Sequence, residues 1–366
     1  MQKEKKVKLL IITQAIDTNN PILGFFCRWV EEFAKHCESI TVICLFEGEH
    51  NLPANVKVLS LGKELNADLR GPARGLTQIK YLTRFYKYIW NERKNYDVVF
   101  VHMNPIYIVL GGVLWRMWKK KISLWYTHKS VDLKLRAAEK FVHFIFTASR
   151  GSFRLPSKKV FIMGHGIDCD QFKPNAYRDN SILHIITVGR ITPIKNYETL
   201  IEALAIVARN SIPFTLEIIG VSVTKEDEAY NINTHTLIQE KNLTSRVVFT
   251  GKVSHDKLPE HLNKADIFVN LSETGSLDKA ILEAMACGLM VVTSNEACKE
   301  MFGGDKEILT FPQRDAQALA DRLKKLSVLG DDTRHALTKR LRHVIVEEHN
   351  IKILIPRILS HYEASR

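Results

Sequence analysis

In VGRITPIKNYETL, Gly189 closes an apolar run, Arg190 follows at once, and Lys195 stands just ahead of a segment with helical periodicity that starts near Asn196. A guanidinium and an ammonium placed at a strand end can straddle two phosphates. As an isolated surface pair the same two residues would mean nothing. A second stretch, SETGSLDKAILEAMACG (272–288), runs a polar, Gly-containing turn into a short helix closed by Gly288 in the C′ role. The first N–H groups of a helix lack intrahelical partners and, with the macrodipole, favour an anion, so this loop can hold a phosphate. At helical spacing Ser276, Lys279 and Glu283 share one face, and Ile281 and Met285 lie on another that can pack on a sheet. A carboxylate beside a phosphate-binding turn can accept hydrogen bonds from sugar hydroxyls and would be a poor direct phosphate ligand. The alternative is a capped surface helix with a solvated glutamate.

Three further residues end strands or begin turns. His128 in WYTHKS follows a strand of the first half, His102 in VFVHMNP ends another, and Gly24 in NNPILGFF lies in the loop after the first strand. Each also has a plain reading, a packed or exposed histidine or a turn glycine before a helix. The 14 histidines show no zinc-like spacing; HGIDCD supplies acceptors only.

The elements that must position these groups follow from the hydrophobic pattern. VKLLIIT, SITVICLF, DVVFVHM and ISLWYTH read as strands, separated by the amphipathic segments GFFCRWVEEFAKHC, LTQIKYLTRFYKYIWNERKN and IYIVLGGVLWRMWKK. Strand and helix in alternation imply a parallel sheet with right-handed crossovers, and strands that barely alternate imply burial on both faces. After KVFIMGHGIDCDQFKP the series restarts with ILHIITVG, NYETLIEALAIVAR, FTLEIIG, RVVFTG, ADIFVNLS and LMVVTS. The expectation is two α/β domains, 1–178 and 179–349, with the final helix 350–366 joining the first. Ligands in such sheets sit at the carboxyl ends of the strands, which makes a cleft between two facing domains the default active site.

With 366 residues, 45% hydrophobic and 25% charged, the chain has the composition of a two-domain globular protein. Six cysteines without a C-x-x-C pair fit a reducing cytoplasm. The apolar run of MQKEKKVKLLIITQ is too short for a signal-peptide core, and IYIVLGGVLWRMW, interrupted by Arg116, is too short to span a bilayer. The net charge of +12 could serve nucleic acid, anionic lipid or a phosphorylated substrate, or be a solvated surface. Nucleic acid is disfavoured, because neither a recognition module nor a continuous basic helix is present. KYLTRFYKYIWNERK and LWRMWKKK interleave aromatics with lysine and arginine as a face at a headgroup layer does, although helix–sheet packing with solvated lysines would give the same pattern.

Taken together, Gly189, Arg190 and Lys195, then Glu283 in LEAMACG, the segment GHGIDCDQF and the stretch FTGKVSHDKLPEHLNKADIFVNLS resemble the retaining, nucleotide-sugar-dependent glycosyltransferases of the GT-B fold (glycosyltransferase group 1, family 4-like). The resemblance implies two facing Rossmann-like doubly wound domains, the first for the acceptor and the second for the donor. It implies Arg190 and Lys195 on the donor diphosphate, Glu283 on the ribose hydroxyls, the backbone around Val253 near the base, Gly24 at the donor phosphate or acceptor, and His128 beside the donor sugar. It further implies a UDP- or GDP-sugar as substrate with no metal, and front-face displacement with retention. A glycan or lipid-linked acceptor follows, together with a cytoplasmic enzyme peripheral on an anionic membrane surface. A GT-B nucleotide-sugar epimerase and a non-catalytic relative are the alternatives. One residue departs from the family: Gly275 stands where the first acid of E-x7-E belongs, flanked by Glu273 and Asp278. The N–H groups of Gly275, Ser276 and Leu277 are then expected to bind the donor phosphate or sugar, with Asp278 taking a hydroxyl contact.

Overall fold

The computed structural model describes residues 6–20, 22–64, 73–175, 182–273 and 276–363. Gly275 lies outside them. The chain divides into two compact units, 1–166 with 351–366, and 167–350.

The first unit is built on a parallel seven-stranded sheet in the order β3-β2-β1-β4-β5-β6-β7. Its strands are β1 (Val7–Ile16), β2 (Cys37–Glu47), β3 (Val56–Ser60), β4 (Val98–His102), β5 (Lys121–Trp125), β6 (Phe144–Thr147) and β7 (Val160–Ile162). The near-continuous apolar runs are explained by burial on both faces. One face packs against α1 (Phe25–His36), through Phe26, Trp29 and Phe33, and against α12 (Ile351–Glu363), the last helix of the chain, through Ile355, Ile358 and Tyr362. The other packs against α2 (Ala73–Asn91), α3 (Ile106–Met117) and α4 (Leu133–Phe141), through Phe85, Ile89, Trp115 and Leu135.

The second unit holds a parallel five-stranded sheet, order β10-β9-β8-β11-β12, formed by β8 (Leu183–Val188), β9 (Phe214–Ile219), β10 (Val247–Gly251), β11 (Ile267–Asn270) and β12 (Met290–Thr293). Its helices include α5 (Tyr197–Arg209), α6 (Lys225–Glu240), α8 (Lys279–Ala286), α10 (Ala316–Ser327) and α11 (Asp331–Glu348), with the short α7 (Leu258–Leu262) and α9 (Lys306–Leu309). Among the described residues β3, β6, β7, α4, α6, α7, α9 and α10 are additions to the sequence reading.

The division falls at Gly166/Ile167, earlier than the 178/179 boundary that the Pro- and Gly-bearing segment suggested. Ile167 pairs in parallel with Asn350 and its N–H donates to the His349 carbonyl at 2.8 Å. Phe172 is buried in the second core. The GHGIDCDQF segment therefore straddles the division, with Gly164, His165 and Gly166 in the first unit and the residues from Ile167 to Phe172 in the second.

Candidate active site

In each sheet the strand order reverses about one pair, β1/β4 in the first unit and β8/β11 in the second. Connections on either side of such a pair run to opposite faces and leave a crevice beyond the carboxyl ends.

In the second unit the sequence-expected groups converge on that crevice. Glycine stands at the carboxyl end of three neighbouring strands: Gly189 follows β8, Gly220 follows β9 and Gly251 is the last residue of β10. Gly220 at φ 153° lies so close to the strand beside it that a Cβ there would stand 1.8 Å from the Gly189 carbonyl oxygen. Gly189, also at φ 153°, donates its N–H to the Ile219 carbonyl at 2.9 Å, and Gly220 donates to Gly251 at 2.9 Å. The result is a bare backbone ledge. From it Arg190 reaches outward half-exposed, with Asp227 Oδ2 3.8 Å from its Nε. The chain then turns through a short 3-10 stretch, Pro193–Lys195, and Asn196 at φ 46° leads it into α5.

Lys195 returns over the ledge, its side chain against Gly189, and its Nζ lies 2.7 Å from Asp278 Oδ2. Asn270, the last residue of β11, donates to the same oxygen at 3.0 Å. Burial tends to raise the Asp278 pKa, but the Lys195 ammonium and the Asn270 amide outweigh it and hold the carboxyl below its ordinary range. The other oxygen of Asp278 accepts from the Ala280 N–H at 3.2 Å, so Asp278 is the N-cap of α8. This corrects the expected helix start. The helix begins at Lys279, Ser276 and Leu277 precede it, and a carboxylate occupies the end where a phosphate was expected. Leu277 is buried in the core, and the Ser276 carbonyl accepts from Asn295 Nδ2 at 2.8 Å, which ties the turn to the end of β12. Glu273, the other acid flanking position 275, is pinned by Arg314 through contacts of 2.8 and 3.2 Å.

Glu283 lies one helical turn beyond Lys279 and is buried. Lys279 Nζ stands 2.8 Å from Glu283 Oε1 and His255 Nε2 stands 2.7 Å from it. Burial opposes the charged form of Glu283, yet Lys279 and His255 more than offset that and lower the pKa to about 2. Burial likewise pulls the Lys279 ammonium below the ordinary lysine range, against the opposing pull of Glu283. Val253 lies in the same loop as His255, half-buried, with its side chain against the core. His255, Asn270 and Asp227 were absent from the sequence reading. Their connection to Glu283, Asp278 and Arg190 runs through the fold, and no local spacing announces it. Gly288, at φ 73°, closes α8 as expected. Among the described residues no group of three or more His, Cys, Asp or Glu side chains is arranged to hold a metal ion.

The first unit carries Gly24, His128 and His102. Gly24 has an ordinary helical φ of −54°, and its glycine is required for space: a Cβ would stand 2.7 Å from the carbonyl oxygens of Thr18 and Asn20. His128 is exposed in the loop after β5 and accepts from the Ser130 N–H through Nδ1 at 3.1 Å. His102 is buried, stacked on Phe26 with centroids 4.0 Å apart and 3.3 Å from Thr13 Oγ1, and burial lowers its pKa to about 3. It plugs the β1/β4 reversal as a neutral packing residue.

Residues 170–344 match the family described as "Glycosyl transferases group 1". The chain is 29% identical over 218 residues to the putative colanic acid biosynthesis glycosyltransferase WcaL of Escherichia coli, a match covering 57% of this chain and 52% of that one. It is 25% identical over 223 residues to the GDP-mannose-dependent alpha-(1-6)-phosphatidylinositol monomannoside mannosyltransferase of Mycobacterium tuberculosis, covering 56% of this chain and 56% of that one. The matched stretch thus spans about half the length of these curated relatives. In fold, the whole chain follows Anabaena HepE, solved in complex with UDP, at a TM-score of 0.75 over 98% of this chain and 100% of that one, with 17% identity.

Proposed function

Because residues 170–344 form a glycosyl transferases group 1 domain in a GT-B fold, we propose that this chain is a glycosyltransferase moving a sugar from a UDP- or GDP-sugar to a hydroxyl of a glycan or lipid-linked acceptor. The reaction belongs to cell-surface polysaccharide or glycolipid synthesis, on the cytoplasmic side of an anionic membrane surface. The observation that carries the reading is the meeting of Lys195 and Asp278 beside the bare glycine ledge, at the one strand reversal of the donor-type sheet, with the Arg190 guanidinium half-exposed beside it. Support for the substrate class comes from the relatives: WcaL is named for colanic acid biosynthesis, the mycobacterial enzyme for its dependence on GDP-mannose, and HepE was solved with UDP.

In this reading Arg190 and Lys195 take the diphosphate, and the turn through Ser276 and Leu277 faces the donor sugar. Glu283 meets the ribose, and the backbone at Val253 meets the base. The bond from the anomeric carbon to the diphosphate breaks as the acceptor oxygen bonds to the same face. The acceptor proton passes to a donor phosphate oxygen, so configuration is retained. Charge growing on the departing diphosphate is met by two preplaced cations, with no metal required. Gly24 and His128 are the residues of the first unit that the reading assigns to the acceptor side.

Thermal unfolding with UDP-, GDP- and ADP-sugars and the free nucleotides tests the donor site, since a ligand bound to the native state stabilises it. One base class is expected to raise the midpoint in the wild type and to lose that effect in Arg190→Ala. Silence from every nucleotide would remove the reading, and an inverted anomer in the product by NMR would remove the retaining mechanism.

A further inference from the structure

The helices α2 and α3 lie side by side on one face of the first sheet: the Tyr86 hydroxyl donates to the Leu110 carbonyl at 3.1 Å, and Trp90 meets Trp118 edge-on at 5.7 Å. Phe85, Ile89, Trp115 and Tyr107 turn inward and are buried. Part of what remains outside is apolar. Ile79, Leu82, Tyr86 and Trp90 follow at intervals of three and four, so they form one stripe along α2, and Val113 with Met117 continues it on α3. Trp90 is 52% exposed and Met117 71%. Long side chains of this kind leave hydrocarbon in water unless something covers it.

The charges around the stripe identify the cover. Lys80, Lys87 and Lys94, seven residues apart, are exposed beside it, as are Arg116 and Lys119, and Arg93 lies over the Trp90 ring at 4.7 Å. Residues 73–91 and 106–121 contain no aspartate or glutamate. Glu92, the acid that follows α2, is buried and bonded to Lys57 at 2.6 Å. A second copy of this chain docked here by two-fold symmetry would set lysines against lysines. A nucleic acid would gain nothing from Ile79, Leu82, Val113 and Met117, which offer bases no ring to stack on. A bilayer of anionic lipid satisfies both halves of the surface. Its acyl boundary takes the aliphatic and indole side chains, and its headgroups take the lysines. Among the described residues no helix is long and apolar enough to cross a membrane, so this contact is with the surface.

We propose that the outer face of α2 and α3, centred on Trp90 and Met117 and ringed by Lys80, Lys87 and Lys94, docks the protein on an anionic lipid bilayer. The inference deepens the proposed action on a lipid-linked acceptor, but its test requires neither donor nor acceptor. Cosedimentation uses vesicles of phosphatidylcholine alone and of equal parts phosphatidylglycerol and phosphatidylcholine. The wild type is expected to bind only the second, and less as salt is raised. Each lysine near the surface contributes about fivefold, so Lys80→Gln/Lys87→Gln/Lys94→Gln together lower partitioning on the order of a hundredfold. Trp90→Ser/Met117→Ser lowers it on the order of tenfold or more through lost apolar burial. Lys325→Gln/Lys339→Gln, exposed in the second unit, leaves it unchanged. Brominated lipid quenches wild-type tryptophan emission, and most of that quenching is lost in Trp90→Phe.

Absence of binding to the anionic vesicles, equal binding to both kinds, or indifference to the face variants would overturn the proposal. So would a dimer that dissociates in Trp90→Ser/Met117→Ser, or a single-stranded oligonucleotide bound through the same lysines in place of vesicles. If the serine variant fails to fold, the lysine variant, altered only at exposed tips, decides alone. Nucleotide-induced thermal shifts that persist in the face variants separate a failure of this proposal from a failure of the donor-site reading.

Discussion

At the scale of the residue, the cation assigned to the donor phosphate already carries a counter-ion. Lys195 and Asp278 are 2.7 Å apart, and a diphosphate arriving there competes with the carboxylate. Asp278→Asn removes that competition and keeps a side chain able to cap α8. Affinity for the free nucleoside diphosphate, measured by titration calorimetry, is expected to rise about fivefold, the scale of one removed like-charge contact; a fall would show that Asp278 contacts the ligand directly. Glu283 answers to acid instead. Its folded-state pKa, about 2, lies below the ordinary 4.5, so its contribution to stability is fully present above 4.5 and is lost as pH falls toward 2. Glu283→Gln takes the buried carboxylate away from the half-buried Lys279 and from His255, and is expected to cost about 3 kcal/mol near neutral pH. The cost should shrink across that acid window. Unfolding midpoints of both proteins against pH check it, and a constant difference down to pH 2 would show that Glu283 carries no buried charge.

At the scale of the element, the site depends on how closely β8 and β9 end. Gly220→Ala puts a methyl 1.8 Å from the Gly189 carbonyl oxygen at a φ that side chains rarely adopt. The strand ends must part, taking Arg190 and Lys195 with them. A loss of about 2–4 kcal/mol is expected, with loss of the nucleotide-induced thermal shift. Gly24→Ala is the contrast. Its methyl meets Thr18 and Asn20 at 2.7 Å inside its own loop, and it should cost about 1–3 kcal/mol in the first unit. Nucleotide affinity that fell without any loss of stability would instead make Gly24 a ligand contact.

The same elements show what the sequence could announce. Strands β8 to β12 are apolar runs closed by Gly, Asn or Ser, so their ends, and with them Gly189, Arg190 and Lys195, could be placed from pattern alone. The C′ glycine of α8 is equally plain. The start of that helix is not, because Asp278 could belong to the first turn or cap it, and only the hydrogen bond to Ala280 decides. Helix α6 escapes a periodicity reading for want of an apolar stripe. Its start is marked by the Thr224–Asp227 capping box, and its buried residues are few and partly polar. Strands β6 and β7, of four and three residues, are too short for any period to register. His255 reaches Glu283 only because the loop after β10 lies over α8, a non-local meeting that no window of sequence contains.

At the scale of the whole molecule, two separate cores predict two separable unfolding events. The second unit holds Arg190, Lys195, Asp278 and Glu283 within residues 167–350 and closes its own core. The first unit does not close on the chain that precedes it. It needs α12 to come back from the far end of the sequence, where Ile351, Leu354, Ile355, Ile358, Leu359 and Tyr362 are buried and the Tyr362 hydroxyl bonds to Ser123 on β5. Six such side chains returned to water cost on the order of 10 kcal/mol, comparable with the entire stability of an ordinary domain. Truncation after Asn350 is therefore expected to abolish the transition of the first unit and leave that of the second. Because a ligand stabilises only the unit that binds it, the truncated protein should keep the wild-type shift for any nucleotide held by 167–350 alone. Differential scanning calorimetry with and without the nucleotide reads both events in one experiment. If the shift vanishes with the helix while the second transition survives, residues of the first unit contribute to nucleotide binding, and Gly24 and His128 become the first positions to substitute.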